Sequence, residues 1–238
     1  MWKSTIDGQA LRFRLTGINN QNFIMKDEQT GSWWQQVTGC AFLGPMTGRC
    51  LEESAWDEVT FAVWKQEHPD TLVLLPDESV KKRYSSAEWE KKVAAYPTVT
   101  PVDPNDGLEP RALVVGVALP SGARAYPWTA LAAQSPILDT VGGMPILLLL
   151  HPDGRSLRCF DRRLEGETLE LFLEAGKEGE AGEAGETGDA GAPASKPPVL
   201  VDVKTGSRWD FSGAATSGPL AGRRLLDHVP LAGTFALP

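Results

Sequence analysis

Two stretches of this chain repeat one another in short, separated pieces at nearly constant spacing. Thr30-Gly31-Ser32-Trp33-Trp34 matches Thr205-Gly206-Ser207-Arg208-Trp209 at an offset of 175, with Asp27 falling on Asp202. After a one-residue gap the match resumes at 174. Gly44-Pro45-Met46-Thr47-Gly48-Arg49 stands against Gly218-Pro219-Leu220-Ala221-Gly222-Arg223, Leu51 against Leu225, and Thr60-Phe61-Ala62 against Thr234-Phe235-Ala236. Upstream, Asp7-Gly8-Gln9-Ala10-Leu11 matches Glu165-Gly166-Glu167-Thr168-Leu169 at 158. Such self-similarity predicts two copies of one structural unit. The second copy is 17 residues longer, the difference between 175 and 158.

Those 17 residues fall on a Gly/Glu stretch, which is therefore read as an insertion into a surface loop at about residues 175–195. Glycine occupies every third position from Gly176 to Gly191, formally the Gly-X-Y period of collagen. Only Pro193 pre-orders it, so a solvated, self-repelling, disordered loop is the favoured reading. Glu174 to Ser195 contains six acids and one base, so it carries -5 of the chain's formal charge of -8. The remainder is close to neutral and lacks a basic stripe, which argues against nucleic-acid binding.

The repeated unit reads as a β-meander. Leu11, Phe13 and Leu15 alternate with Arg12 and Arg14, the pattern of a half-buried strand. Phe23 to Lys26 and Val199 to Val203 are short apolar runs closed by Asp and a Thr-Gly-Ser turn, and the Gly-Pro-x-x-Gly segments form a second turn. Between the copies, Ser54 is expected to cap a helix carrying Trp56, Val59, Val63 and Trp64. Ser85 and Glu88 form a capping box for a helix over Ala87 to Ala95. Residues 97–110, with four prolines, read as a linker. Strands are expected at Leu113–Leu119, Ala123–Tyr126 and Ile146–Leu150, with Pro127 opening a short helix through Trp128 and Leu131.

With 24 Gly and 18 Pro in 238 residues, the fold class is mainly β with a few short helices, a β-rich α+β arrangement. It would comprise two related hairpin-rich modules, the first incomplete, sharing one pseudo-symmetric β core. The corresponding division is an N-terminal module over 1–76, a helix and Pro-rich linker over 77–110, and a C-terminal module over 111–238. The longest strictly apolar run, Pro145 to Leu150, is far short of the roughly 20 residues of a membrane span. Residues 1–20 lack a basic stretch and apolar block, so a cytoplasmic location is the default expectation for the chain as written. A monomer is expected, with association through an unpaired β edge as the alternative.

Ala123-Arg124-Ala125-Tyr126-Pro127, Asp139-Thr140-Val141-Gly142-Gly143-x-Pro145, Phe160-Asp161-Arg162, Thr205-Gly206-Ser207-x-Trp209 and Gly218-Pro219-Leu220-Ala221-Gly222 occur in order. Together they resemble the bacterial and archaeal family catalogued as domain of unknown function 3179. Thr30-Gly31-Ser32, Gly44-Pro45 and His68-Pro69-Asp70-Thr71 look like the same family in the first copy. The resemblance covers roughly residues 7–75 and 108–230. It implies no defined activity, and many relatives look exported or envelope-associated. Relatives often carry Cys-Pro-x-Cys where this chain reads His151-Pro152-Asp153-Gly154, so thiol-redox or soft-metal chemistry does not carry over.

The candidates for chemistry are few. His68, His151 and His228 show no metal-ligand spacing, so neither a metal nor a cofactor is expected. His151 with Asp153 at a strand end could serve as a base and its orienter, although a turn role is favoured. Val141-Gly142-Gly143 could turn N–H groups towards an anion, with Asp139 bracing the turn. No nucleophile elbow, P-loop or dinucleotide fingerprint occurs. Trp34 and Trp209 hold equivalent positions, as core anchors would. Trp33 faces Arg208 in the match and is the better candidate for contact with a partner. Cys40 and Cys50 flank Pro45 symmetrically and could form a disulfide in an oxidising compartment, leaving Cys159 free. Two readings result. The first is a non-catalytic β-rich binding or scaffolding module of unknown partner. The second is an enzyme, or a redox- or metal-related protein, with a cleft near Asp139, His151 and Asp161; the candidate ligand-binding residues are these three with Gly142, Gly143 and Trp33.

Overall fold

A computed structural model describes the chain except at residues 20–21, 55, 96–106, 108–111, 175–196, 226–230 and 237–238. The Gly/Glu stretch, most of the Pro-rich linker and His228 lie outside the described residues. The fold is mainly β, built from small antiparallel sheets with short helices, as composition and turn spacing predict.

β1 (Thr5–Ile6) and β2 (Gln9–Ala10) form a hairpin whose turn residues Asp7 and Gly8 both adopt positive φ. A four-stranded meander follows: β3 (Phe13–Asn19), β4 (Asn22–Asp27), β5 (Trp33–Gln35) and β6 (Ala41–Leu43). α1 (Phe61–Glu67), a 3-10 turn (Glu78–Arg83) and α2 (Trp89–Ala94) lead to the C-terminal half. There β7 (Leu113–Leu119) and β8 (Gly122–Pro127) pair, and α3 (Trp128–Gln134) precedes a sheet of β9 (Ile137–Val141), β10 (Met144–Leu150) and β11 (Leu157–Asp161). A second short hairpin, β12 (Arg163–Leu164) with β13 (Glu167–Thr168), turns through Glu165 and Gly166, again both at positive φ. A second meander follows, of β14 (Leu171–Leu173), β15 (Leu200–Asp202), β16 (Arg208–Trp209) and β17 (Ala215–Ser217). Finally β18 (Leu231–Ala236) pairs with β7.

Side chains alternate across a strand, and β10 has both faces covered, which is why it reads as an unbroken apolar run. Leu147 and Leu149, with Phe160 of β11, join Leu171, Leu200 and Trp209 of the second meander in one cluster. Ile146 and Leu148, with Cys159, join Val115 and Val117 of β7 on the other side. Ile146 to Leu149 are fully buried, and each contributes roughly 1.5–3 kcal/mol by leaving water. A third cluster, of Ile6, Leu11, Trp34, Ala41 and Leu51 with Trp2, Phe13 and Met46 against it, lies in the N-terminal meander. Among the described residues, none from 111–155 enters that third cluster.

The two meanders agree in detail. Asp27 accepts the N–H and hydroxyl of Thr30, and Asp202 those of Thr205. The Ser32 hydroxyl accepts the Met46 N–H at 3.0 Å, and that of Ser207 accepts the Leu220 N–H at 3.0 Å. A Cβ on Gly44 would lie 2.7 Å from the Ser32 Cα, and one on Gly218 would lie 2.6 Å from that of Ser207. Both turns therefore need glycine for room as well as for φ.

Three expectations are corrected. Leu15, in the predicted half-buried strand, is 61% exposed, because the core ends before it. The helix expected from Ser54 begins at Phe61, capped by the Thr60 hydroxyl, which accepts the Val63 N–H. Trp56 and Val59 pack as extended chain instead, where Glu58 bridges to Leu157. Thr60-Phe61-Ala62 and Thr234-Phe235-Ala236 also differ, the former entering α1 and the latter lying in β18. The partners decide: α1 lays Val63 into the cluster beneath the second meander, whereas β18 completes a ladder with β7.

Candidate functional site

Cross-strand register places the sequence-selected carboxylates. Ile146 pairs with Asp139 on β9 and with Asp161 on β11, so the two acids share a row and a face, with their Cα atoms about 10 Å apart. Asp139 Oδ2 accepts the Tyr126 hydroxyl at 2.8 Å and the Arg124 guanidinium at 2.5 Å, and Oδ1 accepts the Thr140 N–H at 2.7 Å. Burial alone would raise its pKa. These donors outweigh burial and hold the carboxyl below the usual carboxylate range. The Tyr126 phenol is pushed well up, by burial first and by bonding to Asp139 second. Asp161 receives the Arg163 side chain, with Nε at 3.0 Å from both oxygens and Nη2 at 2.6 Å, plus the Arg163 N–H at 2.9 Å.

His151 lies elsewhere. It follows Leu147 and Leu149 in alternation, and its ring packs edge-on against Phe211 at 5.0 Å, on the face opposite Asp139 and Asp161. It is buried; its Nδ1 accepts the Asp153 N–H at 3.1 Å, and among the described residues its Nε2 has no partner. Asp153 binds the Ser156 hydroxyl at 2.6 Å, the N–H groups of Arg155 and Ser156, and the Thr60 hydroxyl at 2.9 Å. Burial opposes ionisation there, but the Ser156 hydroxyl and the N–H groups of Arg155 and Ser156 donate to the carboxylate and hold it far below its ordinary value. Gly142 and Gly143 form the two-residue turn from β9 to β10, at φ 53° and 83°. The Gly142 carbonyl accepts the Ser121 hydroxyl at 2.6 Å, and a Cβ on Gly142 would lie 2.8 Å from the Ser121 carbonyl carbon. The glycine pair thus seats one hairpin turn on another.

A buried ion cluster had no sequence signal. Arg158 donates to Asp57 at 2.7 Å, to both oxygens of Glu67 at 2.7 Å and to the Phe211 carbonyl, with its guanidinium 4.8 Å from the Phe211 ring. It clamps residues 57–67 onto β11. Cys159 beside it is buried, and burial raises its thiol pKa. Cys40 and Cys50 pair across an isolated bridge and form a disulfide. The matching bridge in the second meander joins Ala214 and Arg224. Among the described residues, no group of three or more His, Cys, Asp or Glu side chains is arranged to hold a metal, and no helix is long and apolar enough to cross a membrane.

One apolar surface left open belongs to the N-terminal meander. Phe13 and Trp34 fill its core face, and the same face continues through Met25, Leu15, Ile18 and Phe23, since Leu15 pairs with Met25 and Ile18 with Phe23. Leu15 is 61% exposed, Ile18 63% and Phe23 37%. In the second meander Leu200 takes the register position of Met25 and is 1% exposed, in the cluster formed with Leu147 and Leu149. Trp33 is half-buried on the opposite face, between Lys26 and Leu43.

The family described as Protein of unknown function (DUF3179) matches residues 1–237. No curated protein and no solved structure matches the chain.

Proposed function

Because the chain belongs to the DUF3179 family, whose description assigns no activity, we propose from its own geometry that it is a non-catalytic β-rich binding or scaffolding module. Its contact surface is the uncovered end of the N-terminal core face, and Leu15, Ile18 and Phe23 carry the reading. Three large apolar side chains side by side on one sheet face leave a hydrophobic gain available to a partner. Trp33 and Leu43 extend apolar surface to the other side of the same sheet. The chain divides, in this reading, into two copies of one hairpin-rich unit, over 1–76 and 111–238, joined by 77–110. The rival enzyme reading needs Asp139, His151 and Asp161 in one cleft, whereas His151 faces the opposite side of their sheet.

The test is a fluorescence-anisotropy titration with a labelled extended peptide rich in Val and Leu, against the wild type and Leu15→Asp. Saturable binding weakened at least tenfold by the substitution is expected. Equal binding by both proteins, or none by either, would overturn the assignment of this face.

A further inference from the structure

Thr71 closes the turn after α1, with its N–H bonded to the His68 carbonyl, and the chain then runs outside helix and strand through Leu72, Val73, Leu74 and Leu75 to Pro76. Leu72 is 95% exposed, Val73 61%, Leu74 97% and Leu75 87%. Among the described residues this run has no backbone hydrogen-bond partner. It is a strand in composition, with alternate side chains for two faces, and it lacks a sheet. β3 has the opposite deficiency. Among the described residues it is the edge of its sheet, paired only with β4, and it carries Leu15 and Ile18 exposed.

We propose that Leu72–Leu75 of one copy adds to the free edge of β3 in a second copy, and that the exchange is reciprocal, giving a two-fold dimer. Edge addition satisfies backbone groups on both sides at once and gives alternate side chains a surface. Leu72 and Leu74, two apart, fall on one face and cover Leu15, Ile18 and Phe23. The C-terminal half supplies the pattern for the occupant. The face around Leu200 is covered by an aliphatic strand, Ile146 to Leu150, and Leu72-Val73-Leu74-Leu75 is the run of matching character that stands free. Because that run is largely exposed in its own chain, a second copy is the occupant chosen. A closed reciprocal pair leaves neither strand nor edge unmatched, whereas one-way exchange would propagate into filaments.

The inference rests on the contact face proposed above, and the experiment separates the two. Size-exclusion chromatography with light scattering over a hundredfold concentration range is expected to show a monomer–dimer equilibrium. Leu74→Asp removes the donor strand and Leu15→Asp the acceptor edge, both at exposed positions, with circular dichroism verifying the fold. Each variant alone is expected to be monomeric. Mixed, they are expected to form a 1:1 complex, because an intact donor then meets an intact edge. A wild type that is monomeric throughout, or a mixture that does not associate, would overturn the dimer. The peptide titration would still report on the face itself.

Discussion

Arg158 and Glu67 meet through two hydrogen bonds of 2.7 Å each, across 91 residues of chain. Asp57 completes the clamp from the other side, and all three groups are mostly shielded from water. Replacing Arg158 with Ala would leave two carboxylates facing each other without their cation. A loss of about 3–5 kcal/mol in urea unfolding is expected. Arg158→Lys should recover only part of it, because an ammonium cannot make the paired contacts to Glu67 while also reaching Asp57. A lysine variant as stable as the wild type would show that charge alone suffices.

Gly39 and Gly213 occupy matching positions, and each has an aromatic ring pressed on it. A Cβ on Gly39 would lie 2.5 Å from the Trp2 indole, and one on Gly213 2.7 Å from the Phe160 ring. Both have positive φ, as does Gly8, around which space is open. Alanine at Gly8 should therefore cost only the backbone term of about 1 kcal/mol. At Gly39 or Gly213 overpacking is added, and losses above about 2 kcal/mol are expected by thermal unfolding. Equal losses at all three sites would mean that the rings yield without cost.

Asp153 makes stability depend on pH. Its folded pKa is depressed, so its contribution is complete above the ordinary carboxylate value near 3.9 and is lost as pH falls below that value towards the folded pKa. Asp153→Asn should lower stability at neutral pH by about 1–3 kcal/mol, since the amide cannot accept every hydrogen bond the carboxylate does. It should also flatten the decline between roughly pH 4 and pH 2. Parallel pH profiles for the two proteins would assign that decline to other carboxyl groups.

Joint replacement of Cys40 and Cys50 by Ala should leave the fold intact, because the second meander makes the same turn with Ala214 and Arg224. The cost should be about 2–3 kcal/mol from releasing a short loop in the unfolded chain. Loss of the β-sheet signal in circular dichroism would show that the turn depends on the bond.

What could be foreseen divides along physical lines. β7 was legible to the residue because Leu113–Leu119 is an apolar run carrying three valines, and the Gly142-Gly143 turn because few sequences tolerate two positive φ values in succession. α1 was misplaced because Trp56, Val59 and Val63 fit a helical period, although two of them lie in extended chain beside Leu157. Periodicity records which side chains are buried, and extended chain against a sheet can imitate it over one turn. The Arg158 clamp was not legible, since no spacing rule links residues 57, 67 and 158. Asp139 and Asp161 were singled out with His151 for one cleft; that the two acids share a row across β10, and that Arg124 and Arg163 pair with them, follows from strand register and was not foreseen.

Val59 and Val63 pack with residues of the second meander such as Trp209 and Ala215. During synthesis at about 5–20 residues per second, roughly 150 further residues must be made before that seat exists. For roughly 8–30 seconds the nascent chain therefore carries a helix too short to persist alone and an apolar strip awaiting its cover. The order of translation sets the order of burial, and this early segment is where a holding chaperone would have most to protect.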